Sequence, residues 1–154
     1  MAMPQVGQPA PDFQLQTDAG ETVRLSDLRG RLVVLFFYPE ADTPNCTVEA
    51  CEFREDLSDF QALGAAVFGI SPDGVEKQAA FSRKFELTYP LLADAEHRVA
   101  EAYGVWQLKK GPDSEYMGVL RTTFVIDPQG VVSHVYERVQ AQGHSQQVLQ
   151  TLRS

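Results

Sequence analysis

A chain of 154 residues, 44% hydrophobic and 22% charged, has the length and composition of one globular domain spanning residues 1–154, which excludes disordered and fibrous classes. Its 21 acidic against 13 basic residues give a formal net charge of −8, the wrong sign for a nucleic-acid or anionic-membrane partner. No apolar run approaches the ~18 residues of a membrane span, and residues Met1 to Ala10 lack the basic and apolar regions of a secretory signal, so a cytoplasmic protein is expected.

Along the chain, Phe13-Gln-Leu-Gln16 and Thr22-Val-Arg-Leu25 alternate apolar with polar around Asp18-Ala-Gly20, predicting an N-terminal β-hairpin at a sheet edge. Ser26 to Gly30 reads as a short capped turn. Arg31-Leu-Val-Val-Leu-Phe-Phe-Tyr38 is nearly unbroken apolar sequence, a buried central strand that Pro39 ends because proline has no donor for the ladder. After a turn at Ala41-Asp42, Thr43-Pro44 supplies an N-cap hydroxyl and a proline at the first helical position. Val48, Phe53, Leu57, Phe60 and Leu63 then recur at helical spacing up to Gly64, giving a helix with one face on the sheet.

Ala65 to Ile70 reads as a second buried strand. Ser71-Pro-Asp-Gly74 opens a helix with Ala79, Ala80, Phe81 and Phe85 expected inward, followed by a short strand near Tyr89-Pro-Leu-Leu92 and a helix from Ala95 to Tyr103 that stops at Gly104. Residues 105–118 show no regular pattern and read as a rim or lid loop. Arg121 to Ile126 and Val131 to Tyr136 should pair across Asp127-Pro-Gln-Gly130, and His144 to Leu152 closes the chain as a helix. Alternating strands and helices that end in a hairpin predict an α/β fold with a mixed central sheet covered by helices on both faces.

Cys46 and Cys51 are the only cysteines. In a reducing compartment two thiols are expected to be catalytic or redox-active rather than a structural staple, with two inert buried thiols as the alternative. Cys46 falls in the first turn of its helix, where unpaired N–H groups and the positive end of the dipole favour an anion. Free cysteine has a pKa of about 8.5 and reacts as the thiolate, so a helix start favours Cys46 over Cys51 as the nucleophile. Five residues of ideal helix separate Cα atoms by roughly 8.6 Å, beyond the ~7 Å that a disulfide tolerates. Any bond between them therefore requires the helix to unwind. His97, His134 and His144 are far apart without ligand spacing, giving little support to a metal site or a Cys–His protease. Phe37, Tyr38 and Trp106 read as packing aromatics.

Pro39-x-x-x-Thr43-x-x-Cys46, with Cys51 five residues on, resembles the active-site pattern of the peroxiredoxins, in particular the bacterioferritin comigratory protein or peroxiredoxin Q group. The likeness extends from Gly7-Gln-Pro-Ala-Pro-Asp-Phe13 through Phe36-Phe-Tyr-Pro39 and Tyr103-Gly-Val-Trp106 to Arg121-Thr-Thr-Phe-Val-Ile-Asp127. One departure is Asn45, where the group commonly has glycine. The resemblance implies a thioredoxin-like fold and reduction of hydrogen peroxide and organic hydroperoxides without a metal, haem or flavin cofactor. It also implies that Cys46 is the peroxidatic cysteine, that Cys51 resolves its sulfenic acid as an intramolecular disulfide, and that a thioredoxin-type dithiol recycles a monomeric enzyme.

Within that pattern Thr43, the Cys46 N–H and Arg121 are the candidate donors to the peroxide oxygens, where charge develops, and Arg121 adds a permanent cation. Pro39 shields the thiol. Thr43 also reads as a plain N-cap. Glu49 reads either as an ordinary first-turn acid favoured by the dipole or, by resemblance, as the residue holding Arg121. Three other activities remain open: a one-cysteine peroxidase resolved by an external thiol, a thiol–disulfide oxidoreductase, which usually carries C-x-x-C, and a non-enzymatic redox sensor.

Overall fold

The structure, a computed structural model, describes residues 2–153. Its main sheet has seven strands: β1 (Gln14–Thr17), β2 (Thr22–Arg24), β3 (Leu32–Phe37), β4 (Ala65–Ser71), β5 (Leu91–Ala93), β8 (Thr122–Ile126) and β9 (Val132–Tyr136), while β6 (Trp106–Lys110) and β7 (Glu115–Val119) form a separate ribbon. The order across the sheet is β2-β1-β5-β4-β3-β8-β9. β3 runs parallel to β4, and β4 to β5, whereas β8 is antiparallel to β3. The sheet is mixed, as predicted, with the N-terminal hairpin on one edge and the C-terminal hairpin on the other.

Strand alternation explains how both faces fill. Val34, Phe36 and Tyr38 point toward helices α1 (Pro44–Ala62), α2 (Val75–Lys84) and α4 (His144–Arg153), with Cys46, Ala50, Phe53, Phe60, Phe81, Val148 and Leu149 in the same core. Val33, Leu35 and Phe37 point the other way, onto Val99, Ala100 and Tyr103 around the short helix α3 (Arg98–Ala102). The period of two thus makes β3 apolar on both sides. Phe36 stacks on Phe53 at 4.5 Å between ring centroids. Its neighbour on β4 must be Gly69, because a Cβ there would lie 2.8 Å from the Phe36 ring.

Four local expectations are corrected. Residues 105–118 are not an irregular loop: Trp106–Lys110 (β6) and Glu115–Val119 (β7) pair antiparallel as a two-stranded ribbon. Ala80 is exposed and Gln78 is buried instead, since Gln78 accepts from the Tyr38 hydroxyl (2.6 Å) and donates to the Leu92 carbonyl (2.9 Å). Val48 is 40% exposed. It lies about 140° around the helix from Phe53 and so leaves the buried stripe. The helix expected from Ala95 begins only at Arg98, where the Asp94 carboxylate accepts the Val99 and Ala100 N–H groups.

Candidate active site

β3 delivers the chain to Tyr38, whose buried hydroxyl is tied to Gln78. The following loop crosses to α1 through Asp42 in the left-handed region (φ 62°), a conformation aspartate tolerates better than most residues. This loop is pinned from α2 and its approach. Asp73 accepts the Ala41 N–H (2.8 Å), while Lys77 pairs with Glu40 (2.6 Å) and Lys84 with Asp42 (2.9 Å). Sequence reading missed Asp73, because Ser71-Pro-Asp-Gly74 carries the ordinary signature of a helix start.

Thr43 is the N-cap residue and Pro44 the first residue of α1, as expected, yet the Thr43 hydroxyl caps no N–H. It donates instead to the Glu40 carbonyl at 2.8 Å, bracing the loop. The first ladder bond runs from the Thr47 N–H to the Thr43 carbonyl (2.9 Å). The Cys46 N–H precedes it, among the donors that a helix start leaves without an intrahelical partner. Asn45 is helical and needs no positive φ. Pro39 sits half-buried between β3 and this loop.

Cys46 is 1% exposed. The Arg121 guanidinium comes from the residue before β8, the strand paired with β3: Nη2 donates to Cys46 Sγ at 3.2 Å and Nη1 to Glu49 Oε1 at 2.6 Å. Three residues from two distant segments are therefore joined by one planar fork. Because α1 starts at Pro44, Glu49 lies beyond its first turn and is buried. Of its two readings, the dipole-favoured first-turn acid is excluded by position. Burial pushes its carboxyl up to about 7, against the pull of Arg121, and its Oε2 has no hydrogen-bond partner.

Cys51, half-buried and unbonded, is outside this cluster. Burial pushes its thiol up, and Glu55 adds to the shift while Arg54 opposes it. Of the cluster, Arg121 borders a cleft of ≈ 630 Å³ that Asn45, Val48, Glu52, Val139 and Gln140 also line. Lys109 on β6 also feels the site. Partial burial and the Arg121 charge push its ammonium down, and Cys46 opposes them. Nothing in the sequence marked it. Among the described residues no three His, Cys, Asp or Glu side chains form a metal-holding group, and no helix is long and apolar enough to cross a membrane.

The AhpC/TSA family model matches residues 6–135. The chain belongs to the AhpC/TSA family. It is 47% identical to peroxiredoxin Bcp of Bacillus subtilis over 149 residues, 97% of this chain and 95% of that one. It is 40% identical to peroxiredoxin Bcp of Escherichia coli over 147 residues, 96% of this chain and 94% of that one. Among solved structures, peroxidoxin BcpB of Mycobacterium tuberculosis superposes with a TM-score of 0.86 at 41% identity, covering 97% of each chain. A cysteine-to-serine variant of Xylella fastidiosa PrxQ gives 0.94 at 28% identity over 99% and 98% of the two chains. The AhpC/TSA fold explains the mixed sheet with helices on both faces, and the peroxiredoxin relatives make this chain a thiol-dependent peroxidase.

Proposed function

We propose that Cys46 is the peroxidatic cysteine of a hydroperoxide reductase and Cys51 its resolving partner. The Cys46 thiolate attacks the terminal oxygen of ROOH, the O–O bond breaks, and sulfur keeps the hydroxyl as Cys46–SOH while the displaced RO⁻ takes a proton to leave as ROH. The Cys51 thiol then attacks that sulfenic sulfur, forming the disulfide and releasing water. An external dithiol of the thioredoxin type returns two electrons.

The observation that carries this reading is the Arg121 fork on Cys46 Sγ and Glu49. A fixed cation at the sulfur also lies where the peroxide oxygens gain charge, and preorganised donors act there without reorganisation cost. Glu49 fixes the fork, and Pro39 and Thr43 shape the loop over the thiol. A Xanthomonas campestris neighbour, at 29% identity and a TM-score of 0.90, is described by its alkyl peroxide reduction activity, which supports organic hydroperoxides as substrates beside hydrogen peroxide. The net charge of −8 supports the absence of a nucleic-acid or anionic-membrane partner, and the proposed enzyme works as a monomer in a reducing cytoplasm.

Single-turnover oxidation followed by a thioredoxin-coupled assay tests both roles. Cys46→Ser should consume no peroxide. Cys51→Ser should reduce one equivalent at the wild-type rate and stall as a sulfenic acid. Full coupled turnover by Cys51→Ser would replace this reading with a one-cysteine enzyme resolved by an external thiol.

A further inference from the structure

α1 is not held evenly along its length. From Ala50 to Asp56 every second residue is hydrogen-bonded to a segment outside α1. The Ala50 carbonyl accepts the Tyr89 hydroxyl at 2.6 Å, Glu52 Oε1 accepts the Gly143 N–H at 2.8 Å, and the Arg54 guanidinium donates to the Phe85 carbonyl. Asp56 accepts from Ser145 Oγ (2.6 Å) and Gln146 Nε2 (2.9 Å). Before Ala50, among the described residues, side-chain hydrogen bonds reach the helix only from Arg121, at Cys46 and Glu49.

Of the four residues Ala50, Glu52, Arg54 and Asp56, Ala50 alone lies inside the loop a Cys46–Cys51 disulfide would close. Its carbonyl already accepts the Arg54 N–H in a regular helix, so the Tyr89 bond is an addition to the ladder. Tyr89 is itself 4% exposed and meets Phe36 edge-on at 5.8 Å. The next residues are fixed in the sheet, with the Leu91 N–H donating to Asp18 Oδ1 and the Pro90 carbonyl accepting from Gly69. The hydroxyl therefore grips the helix from a rigid base.

We propose that Tyr89, through its hydroxyl on the Ala50 carbonyl, is a latch that keeps the Cys46–Cys51 segment helical and sets the rate of the resolving step. The inference rests on Cys51 being the resolving thiol. The step itself converts Cys46–SOH and Cys51–SH to the disulfide and one water, and it requires the segment to leave helical geometry, at which point the latch bond breaks. While the latch is closed, the sulfenic acid stays beside Arg121, exposed to a second peroxide and further oxidation to sulfinic acid. Tyr89 is thus a positioning residue that divides Cys46–SOH between resolution and over-oxidation.

The test is Tyr89→Phe, which keeps the ring, its edge contact and the core volume, beside Tyr103→Phe. The Tyr103 hydroxyl makes an equivalent bond to a backbone carbonyl, Pro11 O at 2.7 Å, on the opposite face of the sheet. Rapid mixing with peroxide, followed by mass spectrometry, measures sulfenic acid formation, disulfide formation and sulfinic acid yield. Loss of one neutral hydrogen bond should speed disulfide formation in Tyr89→Phe by about two- to tenfold. Sulfenic acid formation should stay at the wild-type rate, and sulfinic acid yield at high peroxide should fall by a similar factor. Tyr103→Phe should match wild type in all three. Disulfide formation at the wild-type rate in Tyr89→Phe, or equal acceleration in both variants, would overturn the latch. If the wild-type protein forms no Cys46–Cys51 bond, the resolving role of Cys51 falls first and the latch with it.

Discussion

The turn of α1 that carries Cys46 and the turn that carries Cys51 belong to one helix, but the two sulfurs meet different surroundings. Cys46 is closed off from solvent and touches a guanidinium delivered from 75 residues away. Cys51, rotated about 140° around the axis, is half-buried with no hydrogen bond, and burial holds its thiol up. A helix start alone does not make this difference. It is made by Arg121, which binds Cys46 and Glu49 but not Cys51, and by the separate tethers that run from Ala50 to Asp56. Under the proposed roles, the peroxidatic thiol is held by a single guanidinium, and the resolving thiol follows directly on the first of the other tethers, at Ala50.

Removing the cation should erase most of the contrast. Arg121→Ala is expected to lower kcat/KM for peroxide by about a hundred- to a thousandfold, the range for loss of a preorganised charged donor. Stopped-flow oxidation of Cys46 measures it, and a loss under threefold would show that the helix terminus suffices. Arg121→Lys should recover little, because an ammonium cannot bridge Sγ and Glu49 Oε1 together.

Glu49 sharpens the comparison through pH. Its folded-state carboxyl, pushed up to about 7, lies above the ~4.3 of an unfolded glutamate. The native state therefore binds the extra proton between those values, and this contribution to stability is complete below about 4.3 and is lost as pH rises through 7. Chemical denaturation of wild type and Glu49→Gln from pH 4 to 8 should show the wild type losing stability relative to the variant across that window. Parallel curves would mean that the ion pair with Arg121 fully offsets burial.

The smallest effect concerns Thr43, whose hydroxyl braces the Glu40 carbonyl. Thr43→Ser should keep both that bond and the peroxide rate within about threefold of wild type, whereas Thr43→Val should lose stability by about 1 kcal/mol, one neutral hydrogen bond. Thermal unfolding beside stopped-flow oxidation checks both. Thr43→Val with unchanged stability would remove the bracing role.

Much of this was legible in the sequence. Asp18-Ala-Gly20 and Asp127-Pro-Gln-Gly130 marked both hairpins, and the run Leu32 to Phe37 marked the central strand, because turn chemistry and periodicity are local signals. Thr43-Pro44 placed Cys46 in a first turn for the same reason. What stayed hidden depends on partners distant in sequence. Gln78 reads as a surface residue until Tyr38 and Leu92 supply its hydrogen bonds. The ribbon at 106–119 alternates only weakly, since Leu108, Tyr116 and Met117 are exposed and its contacts with the core lie at its ends, Trp106 and Val119. Arg121 was singled out by family likeness alone, as nothing local distinguishes it from a solvated charge at a strand end. Tyr89, in a plain apolar stretch, gave no sign that its hydroxyl reaches α1.

Peptide mapping of the wild-type protein after one equivalent of hydrogen peroxide tests the central claim most directly. The account predicts a single species, lighter by two hydrogens, with Cys46 joined to Cys51 within one chain and protection of amides 47–50 from hydrogen exchange lost. A stable Cys46 sulfenic or sulfinic acid beside a free Cys51, or a bond formed with exchange protection intact, would contradict it.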